Sequence, residues 1–112
     1  MCGQTTIIGF NNNIYTLLSE LIEANRSKKK AYIVVLGDMQ KEEMEDAISS
    51  HIKNTYTTEI ICRSGRLFES HSFELCSLES SQSVIVNADD DAETIKILLG
   101  ISAYVKNAEL YN

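Results

Sequence analysis

The chain has 112 residues, 44% of them hydrophobic and 23% charged, with a formal net charge of −6. That length supports one domain of modest core rather than two, and the acidic balance excludes the basic stripe that marks a nucleic-acid surface. Cys2, Cys62 and Cys76 form an odd set without C-x-x-C spacing, which suggests a reducing compartment and buried or incidental thiols; no signal peptide is evident, and no apolar run approaches the ~20 residues that span a bilayer.

The first predicted element is a strand at Thr6-Ile7-Ile8, followed by the turn Gly9-Phe10-Asn11-Asn12-Asn13. A helix comes next, its Ile14, Leu17, Leu18, Leu21 and Ile22 spaced i, i+3, i+4, i+7, i+8 as a core stripe. The basic run Arg26 with Lys28-Lys29-Lys30 falls where that helix should end, and reads as a complement to the helix dipole. A second strand, Tyr32 to Leu36, leads through Gly37-Asp38 into a helix starting near Gln40. That helix carries Met44, Ala47, Ile48, His51 and Ile52 on one face. A third strand, Glu59 to Cys62, precedes the loop Arg63 to Arg66 and a short, irregular helix around Phe68, Phe73, Leu75 and Cys76. The fourth strand is Ser83 to Val86. The fourth helix opens on Asp89-Asp90-Asp91, with Ile95, Leu98, Leu99, Ser102 and Val105 as its core stripe. Ile97 and Ile101 depart from that stripe and nominate a partner surface, set against a broad core face.

Short, continuous β-branched runs fit strands buried on both faces, the mark of a parallel sheet. Strands alternating with helices give β-α-β-α-β-α-β-α, an α/β Rossmann-like doubly wound fold with right-handed crossovers in a three-layer sandwich. Such a fold continues with another strand after the fourth helix, so residues 1–112 are expected to form one domain that is part of a longer chain.

Open α/β sheets hold ligands at the carboxyl ends of their strands. Gly9 to Asn13, Gly37-Asp38, Arg63-Ser64-Gly65-Arg66 and Asn87 to Asp91 gather on that edge. A dinucleotide turn reads G-x-G-x-x-G; here only Gly9 stands, with Asn11 and Ile14 at the other two positions. Asn11 places a side chain where a pyrophosphate needs room, although the helix N-terminal amides stay available to an anion. Asp38 is either a ribose-holding acid or a cap of the second helix. Asp89 and Asp90 offer oxygen ligands to a hard cation, with helix capping as the plainer role. Ser70 and His71 are adjacent on a helix and point apart, so they make no nucleophile–base pair. His51 sits on an apolar stripe as a structural residue.

Together, "TIIGFNNNIYTLLSEL", "IVVLGDMQKEEMEDAI", "EIICRSG" and "SVIVNADDDAETIKILLGI" resemble the nucleotide-binding half of a TrkA-N or RCK domain, and within that superfamily the CASTOR/POLLUX ion-channel branch. The match runs from about residue 5 to residue 104. It implies a cytoplasmic, non-enzymatic gating domain of a potassium or other cation channel or transporter, tethered to the membrane through the longer protein. It also implies assembly into a dimer or gating ring, and a ligand that is NAD, an adenine nucleotide or Ca²⁺. By the same resemblance, Gly9, Phe10, Asn11 and Asn13 form the phosphate turn, and Asp38 lies near the ribose acid. Arg63, Ser64 and Gly65 occupy the third strand's loop, and Asn87 and Asp89 follow the fourth strand. Two rival classes stay open here: a small Rossmann-type nucleotide-dependent oxidoreductase or transferase, and an assembly module without a ligand.

Overall fold

A computed structural model describes residues 3–111. Four strands, β1 (Thr5–Ile8), β2 (Ala31–Gly37), β3 (Thr58–Ser64) and β4 (Ser83–Val86), alternate with four helices. The helices are α1 (Ile14–Ala24), α2 (Lys41–His51), α3 (Ser70–Leu75) and α4 (Asp91–Tyr111), and a 3₁₀ turn at Leu78–Ser80 follows α3. All strands are parallel in the order β3-β2-β1-β4, with Thr5 in register with both Ile33 and Ser83, and Ala31 with Thr58. This is the Rossmann-like α/β sheet that the β-branched runs predict.

The helices divide between the faces. Ile14, Leu18 and Ile22 of α1 and Met44 and Ile48 of α2 bury against Ile7, Ile33, Val35 and Cys62 on one side. On the other, Phe73 and Cys76, with Leu78 of the 3₁₀ turn and Ile97 of α4, bury against Ile8, Val34 and Leu36. Each such aliphatic or aromatic side chain contributes about 1.5–3 kcal/mol on leaving water. The central strands β1 and β2 are sealed on both faces, whereas β3 and β4 lie at the sheet edges and are only partly covered.

Helix α4 overturns the expected stripe. Ile95, Leu98, Leu99 and Val105 are exposed, Leu99 to 66%, while Ile97 is completely buried. Ile97, Gly100, Ile101 and Tyr104 form the inward face. Ile101 and Tyr104 pack on the second core, and the Tyr104 ring meets Phe73 edge-on at 5.7 Å. The reason is steric. A Cβ at Gly100 would come within 2.6 Å of the Phe68 carbonyl oxygen, so only a glycine lets this face approach the chain before α3. Ile97 and Ile101 therefore belong to the core and not to a partner surface.

Smaller departures concern charge and capping. Helix α1 ends at Ala24 without a basic residue in its last turn, so the basic run lies beyond the reach of its dipole. Arg26 instead bonds Glu23 at 3.2 Å and lies over the Tyr56 ring, 4.2 Å from its centroid. Gln40 precedes α2 without any side-chain cap bond, so Asp38 does not cap that helix. The exposed His51 ring stacks on Tyr15 with centroids 3.8 Å apart. Cys2 lies outside the described residues.

Candidate functional site

Strand order reverses between β1 and β4, so the loops leaving these two strands face each other with no strand between their outer ends. Gly9 brings the loops together. Its φ is +121°, and a Cβ there would overlap the Asn87 carbonyl oxygen. The Asn87 side chain returns the contact, with Nδ2 donating to the Gly9 carbonyl at 3.2 Å. The Asn87 N–H donates to the Ile8 carbonyl at 2.8 Å, extending the β1–β4 pairing into the loops.

Asn11 completes the closure. Its Nδ2 donates to the Asn87 carbonyl and to Asp89 Oδ1, each at 3.1 Å. Its Oδ1 accepts the backbone N–H of Asn13 at 2.9 Å. The amide of Asn13, the residue just before α1, thus already points at a side-chain oxygen of the same turn. Asn13 itself caps nothing with its side chain.

Beneath this clamp lies a cavity of about 280 Å³, into which Phe10, Asn11, Asp38, Asn87 and Asp89 converge. Met39, Leu67, Phe68 and Glu93 complete its wall. A shallower hollow of about 200 Å³ joins Asn11, Asn12 and Asn13 to Ala88 and Asp89. Among the described residues no lysine or arginine lines either space, whereas Asp38, Asp89 and Glu93 all face the first. The electrostatic character of the cleft is thus unfavourable to anions.

The remaining candidates lie apart from this cavity. Strand β3 is two places removed from the reversal, and although Leu67 and Phe68 further along its loop reach the cavity wall, Arg63, Ser64 and Gly65 at the strand end do not. The Ser64 hydroxyl donates to the Met39 carbonyl at 2.6 Å, and the Gly65 N–H donates to the Gly37 carbonyl at 3.1 Å. These bonds tie the end of β3 to the end of β2. Arg63 Nη1 donates to the carbonyl of neighbouring Cys62, at 3.5 Å. Asp90 immediately precedes α4, its Oδ1 accepting the Glu93 N–H at 2.8 Å, while Glu93 Oε1 accepts the Asp89 N–H at 3.1 Å. Asp90 thus caps the first turn of α4, while Glu93 reaches one residue further back than in a capping box, to the Asp89 amide. Among the described residues no group of three His, Cys, Asp or Glu is placed to hold a metal ion.

Sequence reasoning missed Met39, Leu67, Phe68 and Glu93. The spacing Asp90-x-x-Glu93 is a capping-box signal that places Glu93 at the cleft, but the other three carried no sequence mark. A larger groove, about 460 Å³, runs between α2 and β3 over Ile48, Ile52, Ile60 and Cys62, away from all of these residues. Burial pushes the thiols of Cys62 and Cys76 up to about 11, which leaves them unreactive at neutral pH.

Comparison with known proteins follows the same lines. The chain is 32% identical over 112 residues to "Probable ion channel SYM8" of Pisum sativum, covering 95% of this chain and 12% of that protein. It is 32% identical over 106 residues to "Ion channel DMI1" of Medicago truncatula, covering 89% and 12%. It is 31% identical over 102 residues to "Probable ion channel POLLUX" of Arabidopsis thaliana, covering 86% and 12%. The chain therefore spans roughly an eighth of the length of these relatives, which bear out the resemblance to the CASTOR/POLLUX branch. No helix among the described residues is long and apolar enough to cross a membrane. Residues 1–111 match one family model: the chain belongs to the calcium-activated potassium channel slowpoke-like RCK domain family.

Proposed function

We propose that this chain is a ligand-sensing gating domain of a cation channel, acting in a longer membrane-tethered polypeptide and on the cytoplasmic side. The observation that carries this reading is the closed pair of loops at the β1–β4 reversal. There, a small cavity sits against a hydrogen-bonded clamp that a ligand would open or tighten. The domain then works by differential affinity: a ligand that prefers one arrangement of the loops shifts the population of assembly states coupled to it. Phe10, Asn11, Asp38, Asn87 and Asp89 contact the ligand, Gly9 permits the close approach, and Asn13 carries the anchoring amide of α1. Arg63, Ser64 and Gly65 support the neighbouring strand end. Asp89 and Asp90 serve the clamp and the helix cap rather than a cation.

The domain is non-enzymatic on this reading: the cleft gathers carboxylates, with no nucleophile–base pair among the described residues that line it. Assembly runs through the outward face of α4. Ile95, Leu98, Leu99 and Val105 leave an apolar stripe in water, and such a stripe marks an interaction surface. A second copy of the domain is the proposed occupant, as a dimer or ring requires. The test is cation flux from vesicles carrying the full natural polypeptide, with and without Leu98→Asp/Leu99→Asp. The variant should lose regulation and sediment as a smaller species while the isolated domain stays folded. Unchanged assembly and unchanged flux would overturn the proposal.

A further inference from the structure

We infer that the groove between α2 and β3 is a second ligand site, built for a small uncharged amphiphile. Its hydroxyl or carbonyl head meets the Thr58 side-chain oxygen, and its aliphatic body covers Ile48, Ile52 and Ile60. The groove lies apart from the strand-end cleft, so this site and the channel reading can fail separately.

Thr58 opens β3 and is only 3% exposed, yet among the described residues its Oγ1 has no hydrogen-bond partner. A hydroxyl left unpaired away from water is costly, and few folds keep many. Side chains alternate along a strand, so Thr58 shares the sheet face of Ile60 and Cys62, which pack on the core beneath α1 and α2. All three line one hollow of about 460 Å³, a volume within the range of small-molecule sites. Ile48 of α2 and Ile52 at its end supply the facing wall. Because β3 is an edge strand, Ile52 and Ile60 stay half-buried. The hydroxyl is closed to bulk water, so a head group reaches it as an apolar body parts these two side chains. The rim then sets the charge. Exposed Glu45 and Glu59 stand on it, while Lys30, the one cation among the described lining residues, holds its ammonium 5.4 Å from the Tyr32 ring centroid. An anionic head would enter an apolar hollow past two carboxylates, and a cationic head would be held at the rim, short of the hydroxyl. A neutral head completes the Thr58 bond without either cost.

The probe is n-octanol, titrated to its solubility limit into the isotope-labelled chain and followed by amide NMR. Saturable shifts should centre on Ile48, Ile52, Thr58 and Ile60 and leave Gly9 and Asn11 in place. Thr58→Val keeps the side-chain shape and removes the hydroxyl. It should bind n-octanol about fivefold more weakly, the factor expected of one net hydrogen bond. Without ligand, the same variant should melt no lower than wild type, because no bond is lost. Octanoate should bind at least about tenfold more weakly than n-octanol. Shifts that do not saturate or that map elsewhere would overturn the inference, as would equal binding by Thr58→Val or by octanoate. A lower melting temperature of Thr58→Val, or its failure to fold, would mean that the hydroxyl already has a partner and would also overturn it. Shifts over the same residues that grow with protein concentration alone would place a second copy in the groove and refute the amphiphile.

Discussion

Helix α4 offers the sharpest test of the packing, because two apolar stripes compete for its inward face. Ile97→Ala removes three carbons from a side chain with no exposed surface. At about 0.8 kcal/mol per carbon the transfer loss is roughly 2.4 kcal/mol, and a residual cavity beside Phe73 raises the total to about 3 kcal/mol. For a domain of this size each kcal/mol lowers the melting temperature by about 4 °C, giving a drop of about 12 °C. Leu99→Ala, at a position 66% exposed, should stay within about 0.5 kcal/mol in dilute solution. Urea titrations followed by far-UV circular dichroism, at two protein concentrations to separate folding from association, give both numbers with an unchanged slope. If Leu99→Ala costs more than Ile97→Ala at both concentrations, the inward face has been misassigned.

Three further outcomes follow from other parts of the molecule. Gly9→Ala forces a side chain into the Asn87 carbonyl at a left-handed φ of +121°, and should cost at least about 2 kcal/mol by thermal melting. Gln4→Leu leaves the carbonyls of Cys76 and Ser77 without the donor that now reaches each at 3.1 Å; a loss of about 2 kcal/mol in urea is expected. Burial holds the Cys62 and Cys76 thiols near 11 in the fold, against 9.0 without it. Their contribution is therefore fully present below pH 9 and falls as the pH rises from about 9 through 11, because only the unfolded chain ionises freely there. Urea midpoints at pH 8 and pH 10.5 should show that decline, reduced in Cys62→Ala/Cys76→Ala.

Periodicity carried the sheet. The runs at Thr6–Ile8, Tyr32–Leu36, Glu59–Cys62 and Ser83–Val86 lie inside the strands that form; for the central β1 and β2 the reason is cover on both faces, which favours apolar residues along the strand, whereas the edge strands β3 and β4 are only partly covered. The same logic fails for α4, where the stripe through Ile95, Leu98 and Leu99 fits 3.6-residue spacing as well as the one through Ile97, Ile101 and Tyr104. The deciding signal was Gly100, whose missing Cβ marks the side of close approach. At the strand ends, sequence order alone groups four loops together. Strand order then separates them, and β3 at the sheet edge takes Arg63, Ser64 and Gly65 away from the cleft. The role of Asn11 could not be read locally, since its partners Asn87 and Asp89 are 76 and 78 residues away.

The central claim is that the β1–β4 clamp governs a channel, and single-channel recording from the full natural protein with Asn11→Ala tests it most directly. Releasing the clamp should change open probability while unitary conductance and ion selectivity stay as they are. An unaltered open probability in a variant that still assembles, or a change in conductance instead, would contradict the account.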